Sequence, residues 1–475
     1  MQEVNNLIER IIDRININLR KPAFDVRPYI RHLIPPSQFC KFYAFYGLTP
    51  NDKFHLRLSH SSLAGSYFLG KCIVDYSLLY KTDIRGDELK RKGTVFRHGD
   101  ISIPLHHDEV IRVRDSYLIK TLVHCFSHDP ENLEEFLVQN TASMHYANIH
   151  GSPTRGCFLG PFCTVDLTTL YDSVIGTFAY VQVGELNHEF VDPGLIWIRS
   201  EGHFDFRYQF DADVLRRYIE LKEPGEKPRG ILFDFVESYK EEFQKAFDIV
   251  QFESPVELPT GASLSPYTAR KGKIHIGENV LVAQRAYLSD AWLGKGSNAQ
   301  ENCYIIDSRL EGNNVTAHGG KIVHSDLGEK VFVGFNAFLR GRKDCRLTVE
   351  KGTIVMPHSI IDLQEPLNIP ADHIVWGYIN NRDDLKAHSI SFSDLASVNG
   401  ELKVGSMHFQ GNGAYFVEDF QHRIEHILET NGAKFNGTFE TQGHAQNSLD
   451  IFFNTIQPYA KGALRGLYPT IEVRP

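Results

Sequence analysis

At 475 residues the chain exceeds what one hydrophobic core usually serves, so it is expected to divide into domains or to wind as a solenoid with appendages. Apolar residues at 42% and charged residues at 23% suit a soluble globular protein, with no run near the roughly 20 apolar residues of a membrane span. The opening MQEVNNLIERIIDRININLRKP lacks a secretory signal's basic region and cleavage site, which predicts a cytoplasmic location, and 59 acidic against 50 basic residues set nucleic acid aside as a partner.

Chain order starts with Val4, Leu7, Ile8, Ile11, Ile12 and Ile15, an i, i+3, i+4, i+7 stripe that predicts an amphipathic helix; Pro35 and Pro36 end the helical texture. From Leu56 to Ile84 the apolar positions fall five or six apart: Leu63, Leu69 before Gly70, Val74, Leu79, Ile84. The rhythm returns at Leu159, Val165, Leu170, Ile175 and Val181 after a long histidine-bearing excursion. Helical stripes follow at Val214, Leu215, Tyr218, Ile219 and at Leu232, Phe235, Val236, Tyr239, Phe243, Phe247, with prolines and glycines between them.

Period six is clearest from Lys273 to about Ile374, in Ile276, Val282, Leu288, then Leu293, Ala299, Ile305, then Leu327, Val333, Leu339. Six residues per face and three faces per turn predict a parallel β-helix with an 18-residue coil, each coil buried by its neighbours and the ends capped by helices. An antiparallel sandwich is the alternative, since six is a multiple of two. After Asp383 the period stops. Phe416, Phe420, Ile424, Ile427 and Leu428 predict a helix closed by Asn431-Gly432, and Leu449, Phe452, Phe453 and Ile456 predict a second. The expected domains are a helical cap over 1–54, a first β-helical block over 55–200 with an inserted loop, a helical insertion over 201–254, a second block over 255–382, and a C-terminal α+β or helical unit over 383–475.

Seven cysteines (Cys40, Cys72, Cys125, Cys157, Cys163, Cys303, Cys345), odd in number and never spaced CxxC, read as buried free thiols. The 22 histidines stand out, because imidazole is both the usual general base near neutral pH and the commonest metal ligand. His106 and His107 in LHHDEV read as a surface loop, and His145 and His150 in MHYANIHG as loop residues with a smaller claim to chemistry. The basic run Arg340, Gly341, Arg342, Lys343 reads as a solvated turn. Absent GxxxxGK[ST], GxGxxG, GxSxG and HExxH motifs argue against phosphate-loop, dinucleotide and common hydrolase chemistries.

The segments KIHIGENVLVAQRAYLSD, GSNAQENCYIID and NNVTAHGGKIVHSDLGEKVFVGFNAFL resemble the hexapeptide-repeat superfamily, and within it the γ-class carbonic anhydrases and their acyltransferase relatives. The resemblance covers about Lys273 to Tyr378 and implies a left-handed β-helix and a homotrimer. Carried over by residue, Gln300 and Glu301 match the family's polar pair, and His318 and His324 two of its three zinc-binding histidines. Ile306 and Asp307 stand where the third belongs, so a metal would have His318, His324 and Asp307. His318 and His324 lie one residue further apart than usual, which suggests an inserted glycine in AHGGKIVH.

An 18-residue period would stack Gln300, His318 and Asn336 on one edge and Ile306, His324 and Arg342 on the next, the two histidines meeting most easily between chains. Three functions follow. One is acyl transfer from an acyl-CoA-type thioester to a small hydroxyl or amine, with His318 as base, Gln300 or Asn336 orienting it, and His324 supplied by a neighbouring chain. Another is hydration or hydrolysis at zinc. The last is a non-catalytic scaffold.

Overall fold

The computed structural model describes residues 1–41, 43–48, 56–98, 100–125, 136–248, 257–457 and 466–474, apart from the side chains of 96–98 and 247–248. The Phe247 side chain of the second helical stripe therefore lies outside the described residues. The chain is mainly β with parallel strands, in two compact units: unit 1 is Met1–Leu195, Ile219–Arg229 and Ile451–Pro475, and unit 2 is Ile196–Tyr218 and Gly230–Asp450.

In unit 1 the strands Asn148–His150, Thr164–Asp166 and Tyr180–Gln182 pair in parallel, Asn148 with Thr164 and Thr164 with Tyr180, while Ala142 pairs with Phe158 and Phe158 with Val174. Each step is sixteen residues. Strand alternation then sorts the side chains: Val123, Ile149, Val165 and Val181 share one ladder, and His124, His150 and Asp166 the next. The helix Gln2–Asn18 buries Val4, Leu7, Ile8, Ile11, Ile12 and Ile15, the predicted stripe, against Leu78, Tyr117, Ile119, Ala142, Phe158 and Val174. Burying such side chains stabilises by about 1.5–3 kcal/mol each, enough to hold the helix against this one sheet face.

The helix predicted through Leu449, Phe452, Phe453 and Ile456 is instead the strand Phe452–Ile456, antiparallel to Ala44–Leu48. Its sequence FFNTI favours a strand, and the ladder offers backbone partners that a lone helical turn would not have.

In unit 2 the step from Leu281 to Phe338 is seventeen. Tyr287 pairs with Tyr304, Tyr304 with Lys321 and Lys321 with Phe338; Leu281, Asn298, Val315 and Phe332 follow the same rule. The cause is visible in the turns. Residues with left-handed backbone occur at Asn279, Arg285 and Asp290, at Gly296, Asn302 and Asp307, and at Asn313, Gly319 and His324, so the intervals run six, five, six. One face is a residue short, which corrects the 18-residue coil. The aliphatic series read from the sequence survives intact, since Ile276, Val282, Leu288, Leu293, Ala299, Ile305, Leu327, Val333 and Leu339 all belong to the buried interior. Beyond Phe338 the step lengthens to Ile360, and the added residues make the turn that carries the basic run. There Arg340 pairs with Asp362 and Arg342 Nε donates to the Leu363 carbonyl at 2.8 Å.

The helices Ala212–Tyr218, Ile231–Ser238 and Lys240–Asp248 follow the predicted stripes. The last long helix, Gly413–Thr430, is capped by the Asn412 side chain accepting from the Tyr415 N–H and ends at Asn431, with Gly432 at φ +83° as the C-cap pair requires. All seven cysteines are free and buried. Among the described residues no helix is long and apolar enough to cross a membrane.

Candidate active site

The seventeen-residue step regroups the candidate residues of unit 2. Val282, Ala299, Thr316 and Val333 are in register, so two positions on, Gln284, Glu301, His318 and Phe335 form one ladder. Gln300 and Asn336 therefore do not stack on His318; Gln300 falls level with Ala317, and Asn336 with Gly319. His318 Nδ1 lies 2.8 Å from Glu301 Oε2, with the side chains 1% and 0% exposed, and the Phe335 ring is 5.4 Å from the imidazole. Gln284 at the head of the ladder is buried too.

The turn Ala317-His318-Gly319-Gly320-Lys321 explains how the imidazole is held. Gly319, at φ +74°, takes the left-handed place that Asn302 and Asn336 take in adjacent coils, so no glycine is inserted. A Cβ on Gly319 would come 2.4 Å from Asn336 Oδ1. Lys321 reaches back under this turn, where its Nζ donates to the Gly319 carbonyl and, at 3.3 Å, to Asn336 Oδ1. Burial pushes the Lys321 ammonium down to about 7, with the Cys303 thiol acting the other way, and burial likewise pushes that thiol up to about 12. Glu301, His318, Cys303, Lys321 and Asn336 thus make one buried polar group beside an aliphatic interior.

His324 occupies the next left-handed turn position, at φ +48°, directly over Asp307 at φ +43°. Its Nδ1 is 2.7 Å from Asp307 Oδ2, but the side chains are 20% and 47% exposed. Arg346 closes the outer side, 3.4 Å from the same Asp307 oxygen and paired with Asp326 at 2.8 Å. The register brings together Glu301 with His318 and Asp307 with His324, as two separate imidazole–carboxylate pairs.

Unit 1 holds two further pairs that the sequence reading passed over. His124 Nε2 is 2.8 Å from Glu88 Oε1, and His150 Nδ1 is 2.7 Å from Asp166 Oδ1, in strands rather than loops. The Tyr180 hydroxyl donates to Asp166 Oδ2 and lies 3.0 Å from Gln182 Oε1. The usable signal was the spacing of sixteen from His150 to Asp166, hidden by the assumption of eighteen. His145 is buried, whereas His106 and His107 are exposed.

A sequence model of the hexapeptide repeat including its loop matches residues 101–223, largely in unit 1 and outside the stretch from Lys273 to Tyr378 that carries the resemblance. A solved structure 54% identical to this chain aligns with all of it, and the chain belongs to the hexapeptide-repeat transferase superfamily. That structure, superposing with a TM-score of 0.91 over 99% of its own length, is of a provisionally assigned acetyltransferase from Desulfovibrio desulfuricans G20. No curated protein matches the sequence.

Proposed function

We propose that the chain transfers an acyl group from a thioester donor such as an acyl-CoA to a small hydroxyl or amine acceptor, with His318 as the general base. The observation that carries this is the 2.8 Å approach of His318 Nδ1 to the fully buried Glu301. A carboxylate this close to the ring offsets the charge of the imidazolium that forms when the base takes up a proton. The acceptor oxygen or nitrogen attacks the thioester carbonyl as the imidazole takes its proton; the carbon–sulfur bond breaks, and the leaving thiolate recovers that proton from the imidazolium. Burial of Glu301, His318 and Lys321 costs stability that aliphatic residues would not, which favours a functional reason for their presence. The likeness to the provisionally assigned acetyltransferase over the whole chain supports the same reaction class.

The coils are read as left-handed β-helices in two blocks, one in each unit, with three chains assembling around an axis. Light scattering near three times the 54.1 kDa chain mass supports the assembly, and a monomeric mass overturns it.

A second reading places a divalent metal at His318, His324 and Asp307. The geometry works against it, because His318 and His324 stand in two separate pairs, one sealed and one open, and Arg346 lies beside Asp307. When bound, such an ion would activate water. Elemental analysis of the purified chain decides between the readings. For the first, His318→Gln is expected to lower acetyl-CoA turnover by about a hundredfold or more, and unchanged turnover overturns it.

A further inference from the structure

We infer that the turn at 340–346 of unit 2, together with Arg217 and Tyr378, forms a binding site for a phosphate monoester group. The site goes beyond the acyl-transfer reading and does not depend on it. Its starting point is the basic run Arg340, Gly341, Arg342, Lys343, which has no part in that reading. The step from coil to coil is seventeen from Lys321 to Phe338 and twenty-two from Phe338 to Ile360, so the turn is an addition that the ladder does not need. It is nonetheless ordered. Arg342 and Cys345 exchange backbone hydrogen bonds at 2.9 and 3.1 Å, and Arg342 Nε is fixed on the Leu363 carbonyl at 2.8 Å.

Cations outnumber carboxylates at this corner. Arg340 binds Asp362 through Nε, at 2.8 Å, and through Nη2, while the Tyr218 hydroxyl donates to Asp362 Oδ2 at 2.7 Å, so both oxygens of this buried carboxylate are taken. Arg342 Nη2 stands 4.0 Å from the same carboxylate, with 55% of the side chain exposed. Arg217 lies against the rings of Tyr218 and Tyr378, 5.1 Å from each centroid, and neither Arg217 nor Lys343 has a carboxylate partner among the described residues. The adjoining acids are engaged elsewhere: Glu365 accepts from the Arg382 N–H at 2.9 Å and Asp384 from the Asn380 N–H at 3.0 Å. Arg217, Arg340, Arg342 and Lys343 therefore face Asp362 and Asp344, an excess of two positive charges in a chain whose net charge is -9.

That excess selects the ligand. A phosphate monoester carries about 1.5 to 2 negative charges at pH 7 and three acceptor oxygens, which suit the forked N–H donors of two guanidiniums held in place. A carboxylate ligand would leave half of the charge unmatched. Tyr378 adds a donor, because its hydroxyl accepts from Asn380 Nδ2 at 2.8 Å and keeps its own proton to give. The monoester belongs either to a nucleotide such as CoA or to a separate small phosphorylated molecule.

Calorimetric titration of the full-length chain with inorganic phosphate, at an ionic strength held constant with chloride, tests the site. One saturable site per chain is expected, weakened about tenfold in each of Arg342→Gln and Arg217→Gln. Both side chains are exposed, so the variants should keep the wild-type melting temperature. Arg216→Gln, at the neighbouring position but paired with Asp213, should bind as the unmodified chain does. Absence of saturable binding overturns the site, as does binding that Arg342→Gln and Arg217→Gln both retain. An equal loss in Arg216→Gln also overturns it, since diffuse charge would then account for the effect. Competition separates the two sources. Displacement of phosphate by CoA but not by dephospho-CoA supports the site and assigns it to the nucleotide monoester; displacement by neither supports it for a separate phosphorylated molecule. Equal displacement by both means that the monoester is not what is recognised, and overturns the inference.

Discussion

The His318–Glu301 and His324–Asp307 pairs of unit 2 come from one rule and end in opposite surroundings. Both arise because the seventeen-residue step sets a histidine over the carboxylate of the coil before it. The first pair is sealed, with a buried lysine and a thiol close by; the second stands in a turn with Arg346 against it. The repeat therefore supplies the contact, and burial decides its energetic weight. In solvent such a pair contributes little, whereas in a low-dielectric interior the same charges interact strongly and cost much to desolvate.

The sharpest way to break that comparison is to exchange the histidines for glutamine one at a time. His318→Gln is expected to remove about 100-fold or more of thioester turnover and His324→Gln less than about threefold, measured as initial rates with acetyl-CoA. Equal losses would mean that burial does not separate the pairs. Next in size is the pH response of the buried group. Lys321 is held near 7 when folded against about 10.4 when unfolded, so between these values the unfolded chain binds the extra proton. Its burial penalty is full below pH 7 and is relieved as pH rises, so this group adds up to about 1.4 kcal/mol of stability per pH unit across the window. Lys321→Met should therefore gain most in urea midpoint at pH 7 and least at pH 10. A gain independent of pH would place the ammonium outside this account.

A smaller effect is expected at the turn beneath His318. Gly319→Ala puts a Cβ 2.4 Å from Asn336 Oδ1 at φ +74°, and a left-handed residue other than glycine costs about 1–2 kcal/mol. Calorimetry should show a lowered melting temperature, and loss of the Lys321 to Asn336 bond should accompany it. An unchanged melting temperature would mean that the turn is not what holds His318.

Much of this was legible in the sequence. The interior positions from Ile276 to Leu339 are spaced by the chemistry of a narrow aliphatic prism, and each is buried where period six put it. The N-terminal stripe was equally plain, because six apolar residues on one helical face leave one way to be covered. His318 and Glu301 were both singled out. Their partnership was not, since one short face per coil moves every cross-coil neighbour by one residue, turning Gln300 into Glu301 opposite His318. A hexapeptide period cannot reveal the missing residue because left-handed turns accept Asn, Asp, Arg, Gly or His here, as Asn302, Asp307, Arg285, Gly319 and His324 demonstrate. The pairs of unit 1 escaped for the same reason at a step of sixteen, and the strand at Phe452–Ile456 because five residues too few to show a period can fit a helical stripe by chance.

The smallest predicted effect tests the open pair. Asp307 is 47% exposed and shared between His324 and Arg346, so its contribution is that of a surface ion pair, about 0.2–1 kcal/mol and screened by salt. Asp307→Asn should shift the urea midpoint only slightly, and 1 M salt should erase most of that difference. Glu301→Gln cannot behave so, because its carboxylate faces His318 away from solvent; its destabilisation should persist in salt. If both variants respond alike to salt, the two pairs share one dielectric environment, and the preference for His318 over His324 as the base loses its physical ground.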